Sequence, residues 1–209
     1  MIALVDYGVG NLFSLKSSFA AIGQDAVVTG DPEVIRAAGA VILPGVGAFR
    51  DAARKLEESG LARVLKQEAA GGKLLMGICL GMQLLFDNSL EYGNHAGLGL
   101  IPGTVRPIAD VIDPTLKIPH IGWNALLVRR EHPLLRYVEP GGCVYFVHSY
   151  YADTAAENVL ADAEYSCPLT AAVARDNIWG CQFHPEKSGQ VGLNILRAFC
   201  EAAEGRRCE

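Results

Sequence analysis

The chain has 209 residues, of which 50% are hydrophobic and 20% are charged, and its formal net charge is −5. These values are typical of a soluble globular protein with a sizeable core. They argue against nucleic-acid binding, because neutralising phosphates requires clustered lysine and arginine, and no apolar run is long enough to cross a bilayer.

The first half of the sequence alternates between apolar strands and amphipathic helices. We predict strands over residues 2–7, 25–30, 40–45 and 73–78. We predict helices over residues 11–22, 31–38, 48–58, 61–69 and 80–86. Asp31 is a typical helix N-cap, and Pro32 suits the first helical position. Such alternation is typical of a parallel sheet covered by helices on both faces.

The second half consists mainly of predicted strands separated by turn signals. These strands are predicted over residues 97–108, 116–128, 142–152, 158–166 and 169–184. No long helix separates them, so we expect antiparallel pairing. A closing helix is predicted from about Ser188 to Glu204. With no linker or internal repeat, residues 1–209 are expected to form a single α/β domain with a mostly parallel central sheet and an antiparallel C-terminal part.

The thiols and the N-terminus indicate the cellular compartment. The chain begins without a secretory signal peptide, and its six cysteines show no CxxC pair; they are Cys79, Cys143, Cys167, Cys181, Cys200 and Cys208. We therefore expect reduced thiols and a cytoplasmic location. The five histidines show no paired metal-ligand spacing, so neither a metal site nor a cofactor is predicted.

Cys79 is the strongest candidate for a reactive side chain. In GICLGMQLL (77–85) it follows an apolar strand and precedes a predicted helix, with Gly77 and Gly81 on either side. This pattern is typical of a nucleophile elbow, in which glycines permit a sharp turn and the helix N-terminus stabilises a thiolate. The elbow would also aim the Leu80 N–H at an oxyanion. The alternative is a purely structural turn.

A second motif, QFHPEKS (182–188), supplies a candidate base. On an extended segment, His184 and Glu186 would share one face, so Glu186 could accept the Nδ1 proton and leave Nε2 for the thiol. The alternative is a solvated His-x-Glu pair at a sheet edge. Taken with Cys79, however, the two residues predict a Cys–His–Glu triad for acyl transfer.

Two glycine-rich loops follow predicted strands. PGVGAF (44–49) could present the N–H of Gly47 or Val46 as a second oxyanion donor. A phosphate-binding loop is the competing interpretation, but no Gly-Lys-Ser/Thr sequence follows it. GVGNLF (8–13) begins like a dinucleotide-binding fingerprint but has Phe13 where the third glycine belongs, so that function is not predicted.

From residue 6 to the terminal helix, the sequence resembles the class I (triad-type) glutamine amidotransferases, whose fold is flavodoxin-like with three layers. GICLGMQLLF and QFHPEKS carry the superfamily resemblance. Met82, PGVGAF, PHIGWN (119–124) and FVHSYYA (146–152) resemble, more narrowly, the family of glutaminase subunits of imidazole glycerol phosphate synthase. Phe13 and Cys181 are modest departures, and neither occupies a triad position.

The resemblance implies roles for individual residues. Cys79 would attack the side-chain amide of glutamine, His184 would protonate the leaving ammonia, and Glu186 would orient His184. Gly47 and Leu80 match the oxyanion-hole positions. Four further residues match positions that bind glutamine or line its pocket: Gln83, Glu91, Ser149 and Tyr150. Without the resemblance, Gln83 and Glu91 would be interpreted as polar residues on a solvated helix and the loop after it.

The resemblance also implies a partner, a (β/α)8-barrel cyclase in histidine biosynthesis that receives ammonia through an internal tunnel. Asn11, Trp123 and Lys187 match segments on the partner-facing surface, although Trp123 could instead be a core residue. Glutaminase activity is weak in this family until the partner binds its nucleotide. We hypothesise that a peptide between Pro44 and Gly47 rotates on activation.

Three other functions remain open from the sequence. The same chemistry could serve pyridoxal-phosphate, anthranilate or guanylate synthesis. The chain could be a stand-alone cysteine hydrolase or peptidase, or a catalytically inactive subunit kept for assembly. The intact triad argues against an inactive subunit.

Overall fold

The structure is a computed structural model that describes residues 1–205. Cys208, one of the thiols predicted to be reduced, lies outside these residues. The strands are β1 (Ile2–Val5), β2 (Ala26–Thr29), β3 (Ala40–Gly45), β4 (Leu74–Cys79), β5 (Phe86–Ser89), β6 (His95–Ala96), β7 (Ile101–Pro107), β8 (His120–Ala125), β9 (Leu127–Val128), β10 (Cys143–His148), β11 (Tyr150–Asp153), β12 (Val159–Glu164), β13 (Pro168–Arg175) and β14 (Ile178–Cys181). The helices are α1 (Leu12–Ala21), α2 (Pro32–Ala37), α3 (Phe49–Glu58), α4 (Leu61–Ala70), α5 (Leu80–Gln83) and α6 (Gly189–Gly205).

An eight-stranded sheet forms the central layer, in the order β2-β1-β3-β4-β14-β13-β12-β9. The five strands from β2 to β14 are parallel, and the remaining three are antiparallel. The predicted class, a mostly parallel sheet with an antiparallel C-terminal part, is therefore confirmed. Two smaller sheets, β10-β8 and β11-β7-β5-β6, flank the edge where the parallel strands end.

The parallel strands are buried on both faces, as their continuous apolar runs predict. Alternate residues enter two apolar clusters on opposite faces of the sheet. Leu4 packs in the same cluster as Phe19 of α1 and Phe199 of α6. Val5 packs in the other cluster, with residues of α2, α3 and α4 such as Ile35. The three-layer arrangement follows from this two-sided burial.

The predicted N-cap of α2 is observed, since Asp31 accepts a hydrogen bond from the Glu33 N–H at 2.8 Å. The helix predicted over residues 80–86 is wrong in length. It ends at Gln83, and the apolar run continues into β5, which pairs with β7. A short apolar run fits both periodicities, and here tertiary pairing decides.

The second half differs from the prediction in two further ways. Three of the long predicted strands are each observed as two strands with one or two residues between them: 116–128 as β8 and β9, 142–152 as β10 and β11, and 169–184 as β13 and β14. Most pairs are antiparallel as predicted. However, β5 is parallel to β7 and β14 is parallel to β4, because the chain returns β14 to the centre of the main sheet.

Within residues 1–205, no helix combines the length and apolar character needed to cross a membrane.

Candidate active site

Cys79 occupies a strained turn between β4 and α5. Its backbone has φ 55° and ψ −114°, in the region that non-glycine residues rarely adopt. The flanking glycines allow this turn to be packed tightly. A Cβ on Gly81 would lie 1.8 Å from the Leu43 carbonyl oxygen, and one on Gly77 would lie 2.5 Å from the Gly81 oxygen. The glycines are therefore a steric requirement of the elbow.

His184 reaches Cys79 because β14 lies parallel to β4, so that the chain leaves both strands at the same edge. Its side chain lines the same cavity as that of Cys79 and is close enough to interact with it, and its Nδ1 lies 2.9 Å from Glu186 Oε1. The extended segment predicted for the pair is wrong, since Pro185–Lys187 form a 3₁₀ turn. The turn still returns the Glu186 carboxylate to the ring.

The electrostatics of His184 follow from its burial and its two partners. Its side chain is 2% exposed, and that of Glu186 is 4% exposed. Burial opposes protonation, but the hydrogen bonds to Cys79 and Glu186 and their negative charges outweigh it, raising the pKa of His184 to about 9. The imidazole is therefore protonated at neutral pH. Glu186 Oε2 is buried and has no hydrogen-bond partner, so Oε1 alone holds the ring.

The 3₁₀ turn is fixed to the neighbouring strand β10. The His184 N–H donates to the Tyr145 carbonyl at 3.0 Å. The Ser188 hydroxyl donates to the His184 carbonyl at 2.6 Å and accepts from the Tyr145 N–H at 2.9 Å. The histidine backbone is thus held on both sides, which limits where the ring can move.

A cavity of about 520 Å³ opens on Cys79 and His184. This volume lies within the usual range for small-molecule sites. Its lining includes all six residues predicted to form the oxyanion hole and substrate pocket: Gly47, Leu80, Gln83, Glu91, Ser149 and Tyr150. The six residues predicted from the family resemblance therefore lie around one cavity together with Cys79 and His184.

Gln83 and Glu91 are not the solvated polar residues that the sequence alone would favour. Gln83 is 5% exposed, and its Nε2 donates to the Tyr150 carbonyl at 3.2 Å and to Gln182 Oε1 at 2.9 Å. Glu91 is half-buried, and its Oε2 accepts from the Phe49 N–H at 2.6 Å. Both side chains are held in place beside the cavity.

The loop after β3 carries Gly47 with φ 98°, a conformation that favours glycine. The Tyr7 hydroxyl donates to the Pro44 carbonyl at 2.8 Å and holds the start of this loop. Burial raises the pKa of Tyr7, so the hydroxyl keeps its proton and remains a donor. No phosphate-binding role is needed to explain the glycines.

The three residues predicted to face a partner do not line the cavity. Asn11 caps α1, accepting from the Ser14 N–H at 3.5 Å. Trp123 is 56% exposed, so the alternative of a core tryptophan is wrong. Its ring contacts the Tyr145 ring edge-to-face at 6.0 Å, and Lys187 Nζ lies 5.8 Å from the centre of the same ring.

Sequence reasoning missed two buried polar groups near the cavity. Gln182 lies between β14 and His184, and its Nε2 is 3.7 Å from Cys79 Sγ. His148 lines the cavity, and its Nε2 is 3.0 Å from Nδ1 of the buried His120. Burial lowers the pKa of His120 and lowers that of His148 to about 4. The sequence signal for these residues was a polar side chain within an otherwise apolar strand. The sequence alone could not show which of them contact one another, because strand register decides that.

No group of three or more histidine, cysteine or acidic side chains within residues 1–205 is arranged to hold a metal ion.

Comparison with known proteins defines the class. The family model described as glutamine amidotransferase class-I matches residues 3–203. A solved structure described as a glutamine amidotransferase superposes with a TM-score of 0.77 at 19% identity, covering 98% of this chain and all of that one. The structure of PurLQS from Thermotoga maritima gives a TM-score of 0.74 at 20% identity, covering 96% and 97% of the two chains. These likenesses establish the fold of class I glutamine amidotransferases.

Curated relatives narrow the assignment. The imidazole glycerol phosphate synthase subunit HisH of Bacillus cereus (strain G9842) is 48% identical over 95% of this chain and 93% of its own length. The HisH subunit of Geobacillus thermodenitrificans (strain NG80-2) is 48% identical over 99% and 98%. The chain therefore belongs to the class I glutamine amidotransferases and, among them, to the family of HisH subunits of imidazole glycerol phosphate synthase.

Proposed function

We propose that the chain is the glutaminase of an imidazole glycerol phosphate synthase, hydrolysing glutamine to glutamate and ammonia for a cyclase partner in histidine biosynthesis. The observation that carries the proposal is the Cys79–His184–Glu186 contact chain at the mouth of the 520 Å³ cavity. We further propose that residues 1–209 act as one domain. The unpaired state of the five described cysteines supports a cytoplasmic location.

The proposed reaction has two halves. The Cys79 thiolate attacks the glutamine amide carbon, and the tetrahedral oxyanion accepts hydrogen bonds from the N–H groups of Gly47 and Leu80. His184, protonated at neutral pH because its pKa is about 9, gives its proton to the nitrogen as the C–N bond breaks. Ammonia leaves and a glutamyl thioester remains.

Water completes the cycle. Neutral His184 takes a proton from the attacking water, and the second tetrahedral intermediate breaks its C–S bond. Glutamate leaves, and the thiolate–imidazolium pair is restored. Glu186 accepts a hydrogen bond from the Nδ1–H throughout, which fixes the ring with Nε2 toward the sulfur. The proposed reaction uses these side chains and the two backbone N–H groups, and it includes no metal or cofactor.

Four cavity residues are proposed to bind glutamine. The Glu91 carboxylate suits an α-ammonium group by charge, and Gln83 offers an amide carbonyl to an N–H donor. Ser149 and Tyr150 form the wall at the junction of β10 and β11. The four together match an amino acid with a polar side chain, rather than an extended peptide.

The relatives' names describe a synthase subunit, and we propose that the partner is a separate (β/α)8-barrel cyclase forming a heterodimer with this chain. Ile121 and Trp123 share one face of β8 and are 58% and 56% exposed. Together with Asn11 and Lys187, this apolar face supports a protein contact. Ammonia protonates in neutral water and loses its nucleophilicity, which favours transfer through an enclosed tunnel.

The experiment measures glutamate production by the purified chain alone and with the cyclase subunit, its nucleotide substrate present or absent. We expect weak activity alone and a large increase in the complete complex, with activity lost in Cys79→Ala. If an anthranilate, guanylate or pyridoxal-phosphate synthase stimulates the activity instead, the chain serves that synthase and the proposed partner is wrong. Cleavage of peptides without any partner would support a stand-alone hydrolase.

A further inference from the structure

The mechanism above leaves one buried polar side chain beside the sulfur unused. Gln182 is 0% exposed, and its Nε2 lies 3.7 Å from Cys79 Sγ. It follows β14 directly, and its backbone N–H donates to the Ala171 carbonyl at 2.8 Å, fixing its position at the end of the sheet. A buried primary amide needs partners for both its carbonyl and its amino group.

The orientation of the Gln182 amide is set by a chain of contacts that starts at a backbone atom. The Tyr150 carbonyl can only accept, so the group that meets it at 3.2 Å must be the Gln83 amino group. The same Gln83 Nε2 lies 2.9 Å from Gln182, which must therefore turn its Oε1 toward it. This leaves Gln182 Nε2, a donor, pointing at Cys79 Sγ.

We propose that Gln182 is a second hydrogen-bond donor to the Cys79 thiolate, held in its donating orientation by Gln83 and the Tyr150 carbonyl. The inference rests on the proposed thiolate chemistry of Cys79 and adds a residue to it. His184 donates only while it is protonated, whereas a primary amide does not titrate. Gln182 therefore stabilises the negative sulfur across the whole pH range in which the protein is folded.

The same contacts assign the polarity of Gln83. Both hydrogens of its Nε2 are donated, one to Tyr150 and one to Gln182. The atom that Gln83 has left for a ligand in the cavity is its Oε1, an acceptor. The bound glutamine must therefore present an N–H to Gln83. The two amide side chains therefore have complementary roles. Gln182 donates to the Cys79 sulfur, and Gln83 accepts from the substrate.

The test is the rate of Cys79 carbamidomethylation by iodoacetamide as a function of pH, with the adduct located by peptide mass spectrometry. Gln182→Met keeps a similar volume and removes the donor. We expect it to move the midpoint of the profile to higher pH by about one to two pH units, the usual effect of losing a hydrogen bond to a charged group.

A second variant distinguishes the loss of a hydrogen-bond donor from general misfolding. Gln182→Glu keeps the acceptor for Gln83 but sets a carboxylate against the sulfur, so the midpoint should move further than in Gln182→Met. At a pH where the thiol is ionised in every variant, the variant rates should reach or modestly exceed the wild-type rate, because a thiolate of higher pKa is the better nucleophile. The exposed Gln190, changed to Met, is the matched control and should leave the profile unchanged.

Unchanged midpoints in both Gln182 variants would overturn the inference. So would variant rates that stay below the wild-type rate at high pH, since these indicate altered access to the sulfur rather than a lost donor. Alkylation requires neither glutamine nor a partner. If the chain proved inactive toward glutamine while the midpoint moved as expected, the proposed function would fail and the donor role of Gln182 would stand.

Discussion

Cys79 and His184 meet because Ile78 and Cys181 are paired residues of two parallel neighbouring strands, β4 and β14. The chain turns sharply after one strand and continues for three residues after the other, which brings sulfur and imidazole together at one edge of the sheet. Parallel sheets place such strand ends side by side, and ligands commonly bind there. The proximity of Cys79 and His184 is therefore a product of topology, and several predictions about the pair can be measured.

Removing the carboxylate behind His184 should impair the chemistry more than binding. In Glu186→Gln the carboxylate 2.9 Å from Nδ1 becomes an uncharged amide that can present a donor to that nitrogen, so the charge is lost and the wrong ring tautomer can form. We expect kcat for glutamine hydrolysis to fall by roughly 10³- to 10⁴-fold with a much smaller change in KM. Glu131→Gln, at an exposed position, should behave as wild type. A fall in kcat of less than tenfold would contradict the role given to Glu186.

The pH dependence of activity follows from His184. Its pKa is raised to about 9, so the ring that we propose protonates the leaving ammonia loses its own proton as the pH rises through that value. We expect kcat to decline above about pH 9, measured by steady-state glutamate release in the complex. A decline already centred near pH 6.5, the ordinary value for histidine, would show that the hydrogen bonds to Cys79 and Glu186 do not govern the ring.

The same shift has a consequence for stability. A pKa that is higher in the folded protein than in the unfolded chain stabilises the fold at pH values below the unfolded value. This contribution is lost as the pH rises from about 6.5 to about 9. Urea unfolding at pH 6 and pH 10 should therefore show a larger loss of unfolding free energy in the wild type than in His184→Gln. Equal losses in the two proteins would rule this linkage out.

The elbow should tolerate no added methyl group at Gly81. A Cβ there would lie 1.8 Å from the Leu43 carbonyl oxygen, a backbone atom that cannot move away cheaply. We expect Gly81→Ala to lower the unfolding free energy by about 3 kcal/mol and to abolish alkylation selectivity for Cys79. Gly71→Ala is the control, because its Cβ would have no neighbour closer than 3.4 Å, so it should change stability by less than about 0.5 kcal/mol.

Trp123 should matter to the complex and not to the fold. Its side chain is 56% exposed in this chain, so Trp123→Ala should leave the unfolding transition nearly unchanged. If the aromatic ring anchors the cyclase, its loss should weaken binding by about 2 kcal/mol, or roughly thirtyfold in Kd, by calorimetry. Leu127→Ala, an exposed residue of β9, should leave the affinity unaltered. If Trp123→Ala and Leu127→Ala bind the cyclase with equal affinity, the interface lies elsewhere on the chain.

The sequence was most informative where local chemistry decides the structure. The apolar runs of β1, β3 and β4, the Asp31 cap and the glycines around Cys79 each act over a few residues, and each was predicted correctly. The end of α5 and the parallel position of β14 depend on distant partners, so local patterns could not supply them. Gln182 was missed for the same reason, because only the register of β14 and the turn at Cys79 bring its amide to the sulfur.

Anchors at both ends of the loop between β3 and α3 limit how that segment can rearrange. At the start of the loop, the Tyr7 hydroxyl donates to the Pro44 carbonyl. Gly45 is packed so closely that a Cβ there would lie 2.8 Å from the Gly81 N, so this end of the loop cannot shift. At its far end, Glu91 holds the Phe49 N–H at 2.6 Å. Between these two anchors, the backbone of Val46, Gly47 and Ala48 is the part that can rotate. Reorienting the Gly47 N–H is therefore a local rotation of this short segment that leaves the Cys79 sulfur in place. A ligand that binds the Glu91 carboxylate therefore acts directly on one of the two anchors of residues 46–48.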